Sequence, residues 1–149
     1  VVYSIAFSPD GQLLASGGTY RVVLVWNLES NNANACQQLH GHNLVIVSVA
    51  FSRQDLLVSA SLDMTIRLWD VPNQSCIRTL QLDSEALNMS FSPNGNLLDV
   101  GKSDETVSLW DLEETTPLSK TFSGRLVSFG PQSTMATTGR GGFVQLHAH

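Results

Sequence analysis

The chain has 149 residues, the size of one domain, and is 42% hydrophobic and 14% charged with a formal net charge of −5. Its apolar runs fall well short of the ~20 residues that a membrane-spanning helix needs. Its 8 Lys and Arg against 13 Asp and Glu lack the basic clustering of a phosphate-tracking surface, so neither membrane nor nucleic acid is an expected partner.

Taken in chain order, Val1–Phe7 has no basic lead and no small-residue cleavage site, so no secretory signal is read there. A start on Val1 fits a processed protein or a cut from a longer one. Phe7-Ser8-Pro9-Asp10-Gly11 then forms a turn, in which Pro presets φ and Gly accepts positive φ. Val23-Leu24-Val25-Trp26-Asn27 follows as a strand. The second stretch is the most regular. Val45–Phe51 is β-branched and reads as a strand, Ser52–Asp55 as a turn, and Leu56–Ala60 as an apolar strand buried on both faces. Leu62-Asp63-Met64 turns the chain, Thr65–Trp69 alternates with period two, and Cys76–Leu80 reads as a fourth strand after a polar turn at Val71–Gln74. Phe91-Ser92-Pro93-Asn94-Gly95 and Val107-Ser108-Leu109-Trp110-Asp111 repeat the pattern, and Phe129-Gly130-Pro131-Gln132-Ser133 with Val144-Gln145-Leu146-His147-Ala148 gives it a fourth time. The leading Phe residues lie 44, 40 and 38 apart, and each precedes the Trp position by 18 or 19 residues. Four short strands per period make a meander sheet, and no helical periodicity competes. A sheet of this kind cannot bury both faces alone, so neighbouring repeats must stack.

The Trp-Asp pairs at Trp69-Asp70 and Trp110-Asp111, the Phe-Ser-Pro-Asp-Gly turns and the Gly41-His42 dipeptide resemble the WD-repeat β-propeller family over essentially the whole chain. The fold implied is all-β: four-stranded antiparallel blades, three complete and a fourth incomplete, with repeats at about 1–41, 42–82, 83–124 and 125–149. The resemblance also implies a hydrogen-bonded tetrad, carried in full by the second repeat as His42, Ser59, Asp63 and Trp69, in which the carboxylate fixes the imidazole tautomer. Repeat one keeps Ser16 and Trp26, with Tyr20 at the Asp position. Repeat three keeps Asp104 and Trp110 but has Leu82 for His and Val100 for Ser, a joint loss that strands neither polar group. Repeat four has Thr137, Gly141 and His147 at the Ser, Asp and Trp positions.

A Ser, a His and an Asp invite a catalytic-triad reading, but no nucleophile-elbow glycines surround Ser59, so no catalytic residue is assigned and the segment is read as non-enzymatic. Cys36 and Cys76 open the fourth strands of neighbouring repeats and are expected as buried free thiols rather than a disulfide. His40 and His42, and His147 and His149, form His-x-His pairs. With His42 already placed and no third ligand cluster, no metal or other cofactor is expected. The triplets Asn73-Gln74-Ser75 and Asn88-Met89-Ser90 match glycosylation acceptors, and without a secretory signal both are read as coincidence.

The sequence ends where the last strand of a fourth blade would begin. A fragment of a longer propeller is therefore expected, with a closed four-bladed ring or pairing with a second copy as alternatives. Open blade edges would favour self-association. The resemblance implies an intracellular, cytoplasmic scaffold that binds other proteins or peptides. The alternative is a regulatory propeller attached to a kinase or NTPase domain outside the segment. The turns between second and third strands supply the candidate protein-binding face: Tyr20, Arg21, Leu62, Met64, Lys102, Glu105 and Arg140.

Overall fold

The computed structural model describes residues 1–32, 35–114, 117–131, 134–138 and 143–147. Its regular structure is entirely β. The strands are β1 (Val2–Phe7), β2 (Leu13–Gly18), β3 (Val23–Asn27), β4 (Cys36–Leu39), β5 (Ile46–Phe51), β6 (Leu57–Ser61), β7 (Thr65–Asp70), β8 (Ser75–Gln81), β9 (Ala86–Phe91), β10 (Leu97–Lys102), β11 (Thr106–Asp111), β12 (Pro117–Ser123), β13 (Val127–Phe129), β14 (Met135–Thr138) and β15 (Val144–His147). They form three four-stranded antiparallel meanders, β1–β4, β5–β8 and β9–β12, and a three-stranded sheet, β13–β15. This is the blade architecture of a β-propeller, with three full blades and an incomplete fourth. Among the described residues no helix is long and apolar enough to cross a membrane. The strands expected in the second repeat differ from those observed by a residue at either end, as fraying ladder ends do.

One turn chemistry recurs between the first and second strands. Ser8, Ser52 and Ser92 are each buried at 4% exposure or less, although each sits in a turn. Their hydroxyls accept the backbone N–H of Leu13 at 2.9 Å, Leu56 at 3.2 Å and Leu97 at 3.0 Å, closing the hairpin from inside. Three residues on, the chain takes a left-handed conformation at Gly11 (φ 73°), Asp55 (φ 60°) and Gly95 (φ 82°). Asp55 thus holds without glycine a conformation that its two counterparts reach freely. The second-to-third-strand turns repeat a second device. Arg21, Met64 and Glu105 occupy the same turn position with φ of 62°, 62° and 63°.

The chain divides into two compact units, Val1–Asp83 and Ser84–His149. In the first, blades one and two share a core of Ala15, Val23, Val25, Leu39, Ile46, Val49, Leu57, Trp69 and Val71. Each such aliphatic side chain removed from water contributes about 1.5–3 kcal/mol before chain entropy is subtracted. Gly17 makes the close approach, since a Cβ there would collide with Ile46 Cγ2 and lie 3.0 Å from Val49 Cγ1. All five residues of β6 are buried, as expected for its apolar run. In the second unit, Val107, Val127 and Met135 are buried together, with Phe122 and Phe129 against them.

The apolar face of β1 is bare, with Tyr3, Ile5 and Phe7 at least 60% exposed. In the fourth blade Phe143, Val144 and Leu146 are bare to a similar degree. Cys36 and Cys76 are free, and half-buried rather than fully buried as expected, because each lies on a fourth strand at the outer side of its sheet.

Candidate functional site

The second blade brings His42, Ser59, Asp63 and Trp69 into one connected network. Strand β6 supplies Ser59 from a fully buried strand, β7 supplies Trp69, and the turn between them supplies Asp63. His42 enters from the segment ahead of β5. Trp69 Nε1–H donates to Ser59 Oγ at 2.8 Å, and Ser59 Oγ lies 2.7 Å from His42 Nε2. On the other side of the ring, His42 Nδ1 lies 2.9 Å from Asp63 Oδ2. One proton assignment satisfies every atom: the indole donates to the serine, the serine donates to Nε2, and Nδ1–H donates to the carboxylate. The imidazole and indole also meet edge-on, with centroids 6.2 Å apart.

Asp63 is held as tightly as it holds. Its Oδ2 accepts the Asn43 backbone N–H at 2.9 Å, and its Oδ1 accepts the Thr65 N–H at 2.9 Å and the Thr65 hydroxyl at 2.6 Å. Burial pushes its carboxyl up, but the bonds from Thr65, Asn43 and His42 outweigh it and hold the group below its usual range. For His42, burial is the largest effect and lowers the imidazole below its ordinary value, against the pull of Asp63. The ring is therefore neutral at neutral pH, as the proton assignment requires. Ser59 is 0% exposed and accepts from Trp69, so its hydroxyl is neither accessible nor free to attack a substrate. The arrangement locks β6, β7 and the turn between them.

Thr65 and Asn43 were not singled out from the sequence, although the recurrence of Asp63-Met64-Thr65 as Asp104-Glu105-Thr106 was visible there. The third blade repeats that turn, with Asp104 Oδ1 accepting the Thr106 N–H at 3.0 Å. There Leu82 and Val100 are buried at the His and Ser positions, and the Trp110 indole turns to Ser108 Oγ at 3.2 Å on its own strand. In the fourth blade, His147 at the Trp position keeps a bond to Thr137 Oγ1 at 3.1 Å.

The turn residues separate into exposed and buried. Tyr20 is 74% exposed, Met64 is 41% exposed and Arg21 is exposed, whereas Leu62 and Glu105 are half-buried. Lys102, expected at an exposed tip, is instead 3% exposed: it ends β10 with Nζ 3.8 Å from Asp104, its stem folded into the blade. Arg140 lies outside the described residues. Within the first unit the two turns are tied together, because Arg21 Nη1 donates to the Asn43 carbonyl at 3.4 Å and Asn43 N–H donates to Asp63. Asn88, one of the glycosylation triplets, is committed inside the second unit, donating to the Val127 carbonyl at 3.0 Å. Among the described residues no group of three or more His, Cys, Asp or Glu is placed to hold a metal ion.

The family model for the WD domain, G-beta repeat, matches residues 1–27, 34–70 and 74–111. The chain is similar to THO complex subunit 3 of Arabidopsis thaliana, 29% identical over 78% of this chain and 38% of that protein. It is also similar to pre-mRNA-processing factor 19 homolog 2 of the same plant, 30% identical over 90% of this chain and 26% of the relative. Protein transport protein sec13 of Emericella nidulans is 36% identical over 64% of this chain and 34% of its own length. The chain thus spans well under half of each of these relatives. Three successive family matches fall on the three sheets whose third strands end in Trp26-Asn27, Trp69-Asp70 and Trp110-Asp111, and the chain belongs to the WD-repeat family.

Proposed function

We propose that this chain is a protein-binding scaffold whose contact surface in the first unit is the rim formed by Tyr20, Arg21, Leu62 and Met64. The observation that carries this reading is the pair of adjacent turns, each holding a large non-glycine residue at φ 62°. Left-handed backbone disfavours such side chains by about 1–2 kcal/mol, and a rigid blade beneath each turn holds them there. An exposed aromatic ring, a methionine and a guanidinium already oriented by Asn43 suit a peptide that offers an apolar anchor beside a carboxylate. Glu105 presents the equivalent position of the second unit and is read as a separate contact. The tetrad serves this function from below, by fixing the turn that carries Leu62 and Met64.

The same reading makes the chain a segment of a longer intracellular propeller, in which a further blade covers the bare face of β1. Supporting it are the exposure of Tyr3, Ile5 and Phe7 and the small share of each relative that the chain spans. The name of one relative, a complex subunit, fits a scaffold role. The test is selection of binders from a random peptide library on the full chain, followed by binding to Tyr20→Ala, Met64→Ala and Asn73→Ala variants. The reading expects at least a tenfold loss with the first two and none with Asn73→Ala, which lies on the β7–β8 turn. Peptides that depend on Asn73, or that ignore all three residues, would refute it.

A further inference from the structure

Counted from Phe7 and Phe91, the pairings of the first two strands match position by position between the first and third blades. In the first, Ala6 and Ala15 stand opposite each other on β1 and β2, and Ala15 is buried in the core shared with the second blade. The same positions in the third blade are Ser90 and Asp99, again directly opposite each other, with Leu109 on the far side. The face they share turns to the fourth blade. Ser90 Oγ accepts the Phe129 N–H at 3.2 Å, and Asn88, two residues along β9, donates to the Val127 carbonyl. Gly101, on the same side of β10 as Asp99, lies so close that a Cβ would strike the Arg125 carbonyl oxygen. The apolar pair of the first-unit joint is thus replaced by a polar pair in the joint of the second unit.

Asp99 is 0% exposed, and neither of its oxygens has a hydrogen-bond partner among the described residues. Asn88 Oδ1 is likewise buried without a partner. Burial alone pushes the Asp99 carboxyl up from 3.8 to about 7. The charged groups on the elements around this face are few. Asp111 ends β11 on the same side, opposite Leu97, and Arg125 leads into β13. Lys102, the last residue of β10, pairs with Asp104 in the following turn, and His147 on β15 is bonded to Thr137. Strands β9, β13 and β14 carry no ionisable side chain.

We propose that the joint between the third and fourth blades is a proton-operated latch: docking of the fourth blade over Asp99 moves a proton from solvent onto its carboxylate, and parting of the blades returns it. The open state exposes an ordinary carboxyl, ionised at neutral pH, and the closed state favours the protonated form, so opening is coupled to proton release. A rise in pH therefore favours the open state and a fall favours the closed one, without any change in the apolar contacts of Val107, Val127 and Met135. The first-unit joint, with Ala6 and Ala15 at these positions, has no such coupling.

The test is amide hydrogen exchange of the full chain between pH 6 and pH 8, read as protection factors so that the intrinsic pH dependence of exchange cancels. The Phe129 amide reports this joint through its bond to Ser90. The Val49 amide, bonded to Ser4 Oγ at 3.1 Å across the first-unit joint, is the internal control. With the carboxyl at 3.8 open and about 7 closed, the opening constant rises about tenfold over this range. Phe129 protection is expected to fall by that factor while Val49 protection does not fall. In Asp99→Asn the Phe129 response should be flat within about twofold. Asp99→Ala, which installs the first blade's residue, serves the same purpose if the amide loosens the fold. Phe129 protection that is independent of pH in the unaltered chain, or a fall that survives in both variants, would overturn the proposal.

Discussion

Replacing Ser59 by alanine removes one oxygen atom from the first unit and strands two polar groups. The hydroxyl accepts from Trp69 Nε1 at 2.8 Å and bonds His42 Nε2 at 2.7 Å, and both partners are buried, at 2% and 6% exposure. A buried donor or acceptor left without a partner costs about 1–3 kcal/mol, so the pair together should lose about 2–5 kcal/mol. The cavity left by a single oxygen adds little. Native-state amide exchange at β6 and β7 reads the first unit alone, which matters because the chain falls into two compact units. At 1.36 kcal/mol per factor of ten, protection there should drop about thirtyfold or more. Ser108→Ala in the third blade is the natural comparison. It strands only the Trp110 indole, over a longer 3.2 Å bond, and should cost about 1 kcal/mol. A loss of less than fivefold for Ser59→Ala (about 1 kcal/mol), or equal losses for the two variants, would refute the claim that the network's joint satisfaction stabilises the second blade.

Acid should weaken the first unit. His42 is lowered in the fold, mainly by burial, so its contribution is present above about pH 6.5 and is lost as pH falls through the folded value. Asp63, held below its usual range, adds a further loss below about 3.8, and Asp63→Asn should flatten that limb of a urea-midpoint titration. Asp99 has the opposite sign. Its carboxyl is raised, so its contribution to the second unit is fully present below about 3.8 and declines as pH rises to about 7, which exchange at β13 against β6 can follow. Met64→Gly relieves a left-handed methionine and should stabilise the first unit by about 0.5–1 kcal/mol in urea melts, while weakening peptides selected on the rim. Gly17→Ala drives a methyl into Ile46, a fully buried side chain, and should cost about 1–3 kcal/mol by the same assay.

The fold was legible because the signals that specify it are local and repeated. Each period carries its own turn residues and an alternating third strand, and a Trp (His147 in the fourth) stands 18 or 19 residues after the Phe, so four weak readings reinforce one another. The His–Ser–Asp–Trp network was legible for the same reason, since all four residues hold family positions. The fate of individual turn residues was not. Lys102 sits one position before the turn that Asp104 and Glu105 occupy, at the end of β10, and the positions it shares with Gly18 and Ser61 of the other blades are buried in all three. Strand alternation read from sequence assumes one exposed face, whereas a second strand covered on both faces buries its residues to the last one, and five of the six in β10 are buried.

Asp99 escaped the sequence reading for a deeper reason. In Leu97-Leu98-Asp99-Val100 the alternation gives each residue a side, but it does not say which side meets another blade and which meets water. A polar residue between apolar neighbours is what a half-exposed strand would show. Stacking removes that option, because both faces of a second strand are covered and all but one of the six positions of β10 are buried. The meaning of a charged residue in such a repeat is therefore set by the neighbouring blade rather than by its own strand. Comparison between repeats can find it where composition cannot: Ala15, Val58 and Ala136 hold the equivalent positions, and only the third blade breaks the apolar rule. A repeat protein thus carries its own internal controls, and the residue that departs from them is the first place to look for a property the scaffold itself does not need.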